Sequence, residues 1–484
     1  MAISDKSIRD AYDAEQFRSA GHRVVDQLAD YLGRATRGTN MPVLDYQPPE
    51  GMDTRWPADF PAEPSGDLAT IMQRVIAGSI HQHHPHYVGH QVSPALPVAA
   101  LCDFAAALLN NGMAAYESGP VSTAMERSVL RWLALQLGWT TSADGVLTSG
   151  GSLGNLTALL AARQVRGGFD VWNDGVAGGP PLAVLAADQS HYSVSRAVQI
   201  MGLGSGAVVP VPVDAQERMR PDALPDAFTE AARRGRRVFA VVASAGSTAT
   251  GSFDPLHAIA DFCEAHSLWL HVDGAHGASA ALVDEHRSLV RGIERADSVV
   301  WDAHKLLMMP ALVTAVLFRD GDRSYETFAQ KASYLYAAGD PREQWFNLGI
   351  RTVECTKRMM SLKLYATLTL LGTRFFADYV ARTFALTRWF AAQLREAGDF
   401  EVPVEPSCNI LCFRYAPRGG TGDSSALQDA IRTRVVASGA FFLARTTLRS
   451  EVYLRTTLMN PLTTESDLEG LISAIRAAAS PTTE

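Results

Sequence analysis

Two rhythms of apolar residues divide the chain. In VSTAMERSVLRWLALQLG the apolar positions Val121, Met125, Val129, Leu133 and Leu137 share one face, and Gly138 follows as a stop. That spacing predicts an amphipathic helix. Beyond it come short continuous apolar runs: GVLTSGG (145–151), LAVLAAD (182–188), AVVPVPV (207–213), VFAVVASAG (238–246), LWLHVDGA (268–275), DSVVWDAHK (297–305) and LVTAVLF (312–318). Runs of this length, bounded by Gly, Asp or Pro, fit strands buried on both faces. Helical patterns such as NLTALLAARQV, VSRAVQIMG and HAIADFCEAH separate most of them. Strand alternating with helix predicts an α/β fold, a mostly parallel seven-stranded sheet with helices on both faces.

The flanks read differently. Residues 1–85 form a polar, helical N-terminal segment interrupted by a loop rich in Pro and Asp at 41–67. It holds too little apolar material for a core of its own and is expected to pack on another surface, such as a partner subunit. Residues 86–375 are expected to form the large domain. Within it, RSYETFAQKASYLYAAGDPREQWFNLG reads as a lid, and VECTKRMMSLKLYATLTLLG (353–372) as one long helix. Residues 376–484 read as a smaller α+β domain.

Composition narrows the function classes. The 484 residues are 47% hydrophobic and 19% charged, ordinary for a globular chain, and the net charge of −8 argues against nucleic acid as a partner. No stretch approaches the roughly 20 apolar residues of a membrane span. The opening MAISDKSIRDAYDAEQF lacks the apolar core of a signal peptide, so a cytoplasmic protein is expected. The five cysteines include no C-x-x-C pair, which fits a reduced chain; Cys408 and Cys412 in CNILC read as core. HQHHPHYVGH holds His81, His83, His84, His86 and His90, but Pro85 and Gly89 break helical pairing and no acidic residue lies within it. No metal is expected there.

Candidate chemistry concentrates where the apolar runs end, because ligands of open α/β sheets sit at the carboxyl ends of strands. TSGGSLGN (148–155) brings glycine backbone, the Ser152 hydroxyl and a helix start together, which suits a phosphate; a plain glycine-rich turn has the same appearance. It is neither G-x-G-x-x-G nor a P-loop. Asp273 ends the apolar strand of HVDGAHG, either as a turn former or as the partner of a protonated pyridine nitrogen. Lys305, in DAHK, is either a snorkelling strand-end side chain or a Schiff-base amine whose proton affinity desolvation lowers. His191, in ADQSHYS, is either structural or a ring stacked on a cofactor.

TSGGSLGN, DQSHYS, GSTATGSFD, HVDGAHG and DAHK, in this order, resemble the group II decarboxylases that depend on pyridoxal 5′-phosphate (PLP), among them the glutamate, cysteine-sulfinate, aromatic L-amino-acid and diaminobutyrate enzymes. The resemblance runs from about His84 to Pro461. It implies an aspartate-aminotransferase type I fold, a homodimer with the site at the subunit interface, and conversion of an amino acid to an amine and carbon dioxide. It implies further that Lys305 carries PLP, Asp273 pairs with the pyridine nitrogen and His191 stacks on the ring. Gly151, Ser152 and His304 would hold the phosphate with Asp302 nearby; Thr248 would orient the ring, and Ala275 belongs to the cofactor-binding set. Tyr334 matches a lid tyrosine that protonates the α-carbon, and Arg455 an arginine for a substrate carboxylate. His90 and Gln91 would read the substrate side chain.

The chain departs from the family pattern at Asp302, where many members have Asn, at Gly274, where Ala is common, and in having Tyr336 beside Tyr334 as a second lid candidate. A carboxylate beside a phosphate is repulsive unless it is bonded elsewhere. YESGP (116–120) resembles the glutamate and cysteine-sulfinate branch, which points to a small acidic amino acid as substrate. Decarboxylation of an aromatic or diamino acid, or decarboxylation with oxidative deamination to an aldehyde, is the alternative.

Overall fold

The computed structural model describes residues 5–38, 40–56, 59–330, 332–337, 339–417 and 424–480. All seven apolar runs are strands: β1 (Asp144–Thr148), β2 (Leu182–Ala187), β3 (Val208–Val211), β4 (Arg237–Ser244), β5 (Trp269–Asp273), β6 (Ser298–Asp302) and β7 (Thr314–Phe318). They form one sheet in the order β1-β7-β6-β5-β4-β2-β3. The pairs from β3 to β6 are parallel, and β7 alone runs antiparallel to both its neighbours. Alternate residues of each strand feed two cores. Leu147, Leu185, Val241, Val272 and Trp301 enter one, while Val146, Val184, Val242, Val300 and Val316 enter the other. Burial on both faces is why these strands read as continuous apolar runs rather than alternating ones.

The N-terminal part holds α1 (Asp5–Ala11), α2 (Ala14–Arg37), α3 (Pro49–Asp53) and α4 (Leu68–Gly78). Then come α5 (Pro97–Leu109) and α6 (Pro120–Gln136). Among the strands lie α7 (Gly151–Arg166), α8 (Val171–Asp174), α9 (Tyr192–Ile200), α10 (Leu224–Arg233) and α11 (Leu256–Ala265), followed after β7 by α12 (Asp322–Phe328) and α13 (Ser361–Leu371). Helix α14 (Thr373–Ala397) leads to β8 (Phe400–Glu401), β9 (Ile410–Tyr415), α15 (Ser424–Ala437), β10 (Ala444–Leu448), β11 (Glu451–Thr457) and α16 (Glu465–Ala479). The second sheet is antiparallel, in the order β10-β11-β9-β8.

Two local expectations are corrected. Helix α6 is rotated: Val121 is exposed, Met125 is half-buried, and Glu126 faces inward beside Val129 and Leu133. Glu126 is buried because it accepts from Lys357 Nζ and, at 2.9 Å, from the Leu147 amide, a partnership that periodicity cannot register. The long helix expected over 353–372 begins only at Ser361. Lys357 spends its side chain on Glu126 and the Leu147 carbonyl at 2.7 Å, which holds that stretch in extended and bent backbone against β1.

Among the described residues no helix is long and apolar enough to cross a membrane. Apolar side chains nevertheless stay exposed along the N-terminal helices and α5: Phe17, Val25, Leu28, Ile71, Leu101, Phe104 and Leu108.

Candidate active site

Strands β1, β2, β4, β5 and β6 share one direction, so their carboxyl ends lie along one edge of the sheet. A cavity of about 310 Å³ opens there, lined by the loops that leave these strands. Gly151, Ser152, His191, Thr248, Asp273, Ala275, Asp302, His304 and Lys305 all contribute to its wall. Sequence reading missed the further lining residues Ser149, Asn155, Ser244, Ser247, His276 and Leu312.

Asn155, on the first turns of α7, organises the floor. Its Nδ2 donates to Asp273 Oδ2 at 2.9 Å and to Ser193 Oγ at 2.8 Å. With both N–H groups committed, its Oδ1 accepts from His271 Nε2 at 3.0 Å. That fixes the tautomer of His271: Nε2 carries the hydrogen, and Nδ1 accepts from the Ser298 hydroxyl at 2.9 Å. Ser298 in turn accepts from Trp269 Nε1 at 2.8 Å. The hydrogen bonds Trp269→Ser298→His271→Asn155→Asp273 therefore all point the same way, toward the carboxylate. The other Asp273 oxygen accepts from the Ala275 amide at 3.2 Å. Burial pushes the His271 pKa down to about 4 against the opposing pull of Asp273, so the relay is neutral at physiological pH.

The same asparagine reaches His191. The Ser193 hydroxyl that accepts from Asn155 donates to His191 Nδ1 at 2.7 Å. His191 is the N-cap of α9, and burial, its largest influence, lowers its pKa. Its ring is thus neutral and oriented by its own helix.

Lys305 leaves β6 into a turn whose backbone bonds back to Asp302. Its Nζ lies 3.0 Å from Asp302 Oδ2, with the lysine side chain 16% exposed and the aspartate 3%. Asp302 Oδ1 accepts from Thr314 Oγ1 at 2.5 Å, and His304 Nε2 stands 3.5 Å from Oδ2. Burial alone would raise the Asp302 carboxyl; Lys305, His304 and Thr314 outweigh it and hold its pKa below the ordinary value. The carboxylate is bonded elsewhere, as the sequence required of it. Yet it stays at the head of α7, since a Cβ built on Gly151 would lie 3.1 Å from both of its oxygens.

Gly150, at φ +123, turns the chain from β1 into α7 in a conformation that side-chain-bearing residues rarely adopt. His276 is the wall on the small-domain side. Its Nε2 donates to Asn409 Oδ1 at 2.7 Å, because the Asn409 amide is committed to the Leu458 carbonyl at 3.2 Å. Burial, with Lys305 and Arg455 adding to it, pushes the His276 pKa down to about 3. The loop carrying Thr248 also leans on the small sheet: Cys408 Sγ lies 3.5 Å from the Gly251 carbonyl oxygen and Cys412 Sγ 3.1 Å from that of Ala249.

Four candidates lie outside this wall. Arg455 is buried on β11 opposite Cys412, bonded to Thr457 Oγ1 at 3.2 Å and with no partner at Nε. His90 is exposed and packs its ring 5.4 Å from Phe442, while Gln91 Nε2 is buried without a partner. Tyr334 is 85% exposed. Tyr336 is half-buried, and its hydroxyl lies 3.5 Å from the Ala114 carbonyl oxygen. Among the described residues no cluster of three His, Cys, Asp or Glu side chains could hold a metal, and His86 of the histidine-rich stretch faces Asp467 at 3.1 Å.

The residues fit PLP: a carboxylate at the floor of the cavity, an amine at its side, a flat imidazole and a glycine-rich helix start for an anion. Comparisons with known proteins agree. The pyridoxal-dependent decarboxylase conserved domain matches residues 49–416. The human acidic amino acid decarboxylase GADL1 is 30% identical over 96% of this chain and 91% of its own. The rat cysteine sulfinic acid decarboxylase is 31% identical over 91% and 92%. Among solved structures, Oryza sativa TDC with PLP and tryptamine superposes with a TM-score of 0.89 at 26% identity, covering 98% of this chain and 99% of that one.

Proposed function

The chain belongs to the pyridoxal-dependent decarboxylase family, and we propose that this PLP-dependent carboxy-lyase acts on a small acidic L-amino acid. The observation that carries the substrate class is Arg455. Among the described residues no carboxylate pairs with it, though it is 7% exposed, and its charge reaches His276 on the cavity wall. A guanidinium so buried calls for an anion. The printed names of the relatives, acidic amino acid and cysteine sulfinic acid decarboxylase, support the same reading.

PLP, when bound, supplies an electron sink for the pair released as the α-carboxylate leaves. Asp273, oriented by Asn155 and the Ala275 amide, would pair with the pyridine nitrogen and keep that nitrogen protonated. Lys305 would supply the amine, and His191, whose ring Ser193 prevents from turning, would stack on the cofactor. Gly151, Ser152 and His304 would hold the phosphate, and Thr248 and Ala275 would border the ring. Arg455 takes a substrate carboxylate, with His90 and Gln91 at the mouth.

Tyr334 delivers its proton across a homodimer interface to the partner's site, a reading supported by its exposure and by the uncovered apolar side chains of α2, α4 and α5. The test is a screen of L-amino acids for carbon dioxide and amine release with added PLP. Glutamate, aspartate or cysteine sulfinate is expected to lead. Lys305→Ala should lose both turnover and the visible absorbance of lysine-bound cofactor. Turnover confined to aromatic or diamino acids would overturn the substrate class, and aldehyde with peroxide would overturn simple decarboxylation.

A further inference from the structure

The head of α7 already has an anion. Asp302 reaches it from the end of β6, with both oxygens 3.1 Å from a Cβ placed on Gly151. The carboxylate is kept there by three contacts from two directions: Thr314 Oγ1 from β7 at 2.5 Å, Lys305 Nζ at 3.0 Å and His304 Nε2 at 3.5 Å. A carboxylate this close to a helix start is favoured by its dipole. Yet this carboxylate pairs with the amine proposed to bond PLP and lies against the glycine turn proposed to take its phosphate.

We propose that Asp302 is an internal stand-in for the cofactor phosphate, and that loading the site traps one proton between the Asp302 carboxylate and the incoming phosphate. The inference rests on reading the head of α7 as the phosphate seat. A phosphate monoester loses its second proton near pH 6, so above neutrality it arrives as a dianion. A carboxylate and a dianion at hydrogen-bond range repel in a dry site, and a single shared proton turns that contact into an attractive O–H···O bond. The proton comes from solvent and lies on either oxygen; no covalent bond changes.

The other charged or titratable groups around Asp302 do not remove the conflict. Lys305 and His304 belong to its own turn, His191 faces it from the N-cap of α9, and His276 and Asp273 face the cavity from β5 and the turn after it. The first turn of α7 brings only Gly151 and Ser152. Burial holds His191 and His276 below the ordinary histidine pKa, so neither adds a positive charge above neutrality. Among the described residues Lys305 is the lysine paired with Asp302, and one positive charge does not balance a carboxylate together with a dianion.

Pyridoxamine 5′-phosphate isolates the effect, because its amine cannot bond Lys305. Full-length protein stripped of PLP is titrated with it by calorimetry, in buffers of different ionisation enthalpy, from pH 7 to 9. Wild type is expected to take up about one more proton per site than Asp302→Asn. Its affinity should fall by about tenfold more per pH unit, so that the variant binds at least tenfold tighter at pH 8. Thr314→Val, which keeps the charge, should keep the extra proton. The wild-type slope reads the proposal even if the variant fails to fold: affinity independent of pH over this range would overturn it. Equal proton uptake in wild type and Asp302→Asn would overturn it while leaving the phosphate seat intact. Failure of every form to bind the probe would overturn both the proposal and that seat.

Discussion

Asn155 holds Asp273 by a 2.9 Å hydrogen bond to Oδ2, from a carboxamide that has no freedom to flip. The carboxylate proposed to pair with the cofactor is therefore aimed by a helix on one face of the sheet, with the Ala275 amide on its other oxygen. Replacing Asn155 with Ala strands the His271 Nε2–H in the interior and releases Asp273. An orphaned buried donor costs about 1–3 kcal/mol. Chemical denaturation should register that loss, and PLP should dissociate roughly tenfold more readily, about 1.4 kcal/mol. Asn155→Ala protein with wild-type stability and cofactor affinity would contradict the assignment.

Two buried neutral histidines set an acid limit. His271 and His276 have folded pKa values near 4 and 3, below the unfolded value of 6.5. Between those limits the unfolded chain binds more protons, so stability falls as pH falls below about 6.5. Asp254 opposes them, since burial raises its pKa to about 6 and the folded chain then holds the extra proton. Between pH 6 and 4 the balance of these three groups is about one proton, or about 1.4 kcal/mol lost per pH unit. Urea unfolding across that range measures it, and His276→Gln should flatten the slope. A wild-type profile that is flat from pH 6 to 4 would count against these burials.

The stretch proposed as a lid meets a carboxylate at its C-terminal end. Asp144 Oδ2 accepts from Arg351 Nη1 at 2.9 Å and from Arg127 Nη1 at 3.1 Å, and the Arg351 side chain is fully buried. Arg127 also lies 4.4 Å from the Trp345 ring. Removing Asp144 as Ala leaves a buried guanidinium without its counter-charge, a change that typically costs about 3–5 kcal/mol. The melting temperature should drop, and proteolysis between residues 329 and 347 should quicken. Neither change would mean that the lid is held by something else.

What the chain made legible follows from what each signal depends on. The seven strands of the large sheet were readable because burial on both faces leaves an uninterrupted apolar run. Lys305, Asp273 and His191 were readable because they end such runs. Asn155 and His276 were not, since their importance lies in partners 118 residues away for Asn155–Asp273 and 133 away for His276–Asn409. Glu126 misled for a related reason, since its polarity is cancelled by Lys357 across the fold. Asp302 stands out in the sequence as an uneasy neighbour for a phosphate, while Thr314 and Lys305, which hold it, show only in the structure.

The contacts from Cys408, Asn409 and Cys412 to the Thr248 loop and His276 give the cavity two owners. One wall of the reaction chamber is built by the large sheet and clad by the small one. At Gly251 the cladding is so close that a Cβ would fall 2.4 Å from Cys408 Sγ, leaving no room for even a methyl group between them. The small sheet is thus less an appendage than masonry: cut away from residue 398 onward, the chain would keep its lysine and its aspartate but lose the surface that the Thr248 loop leans on.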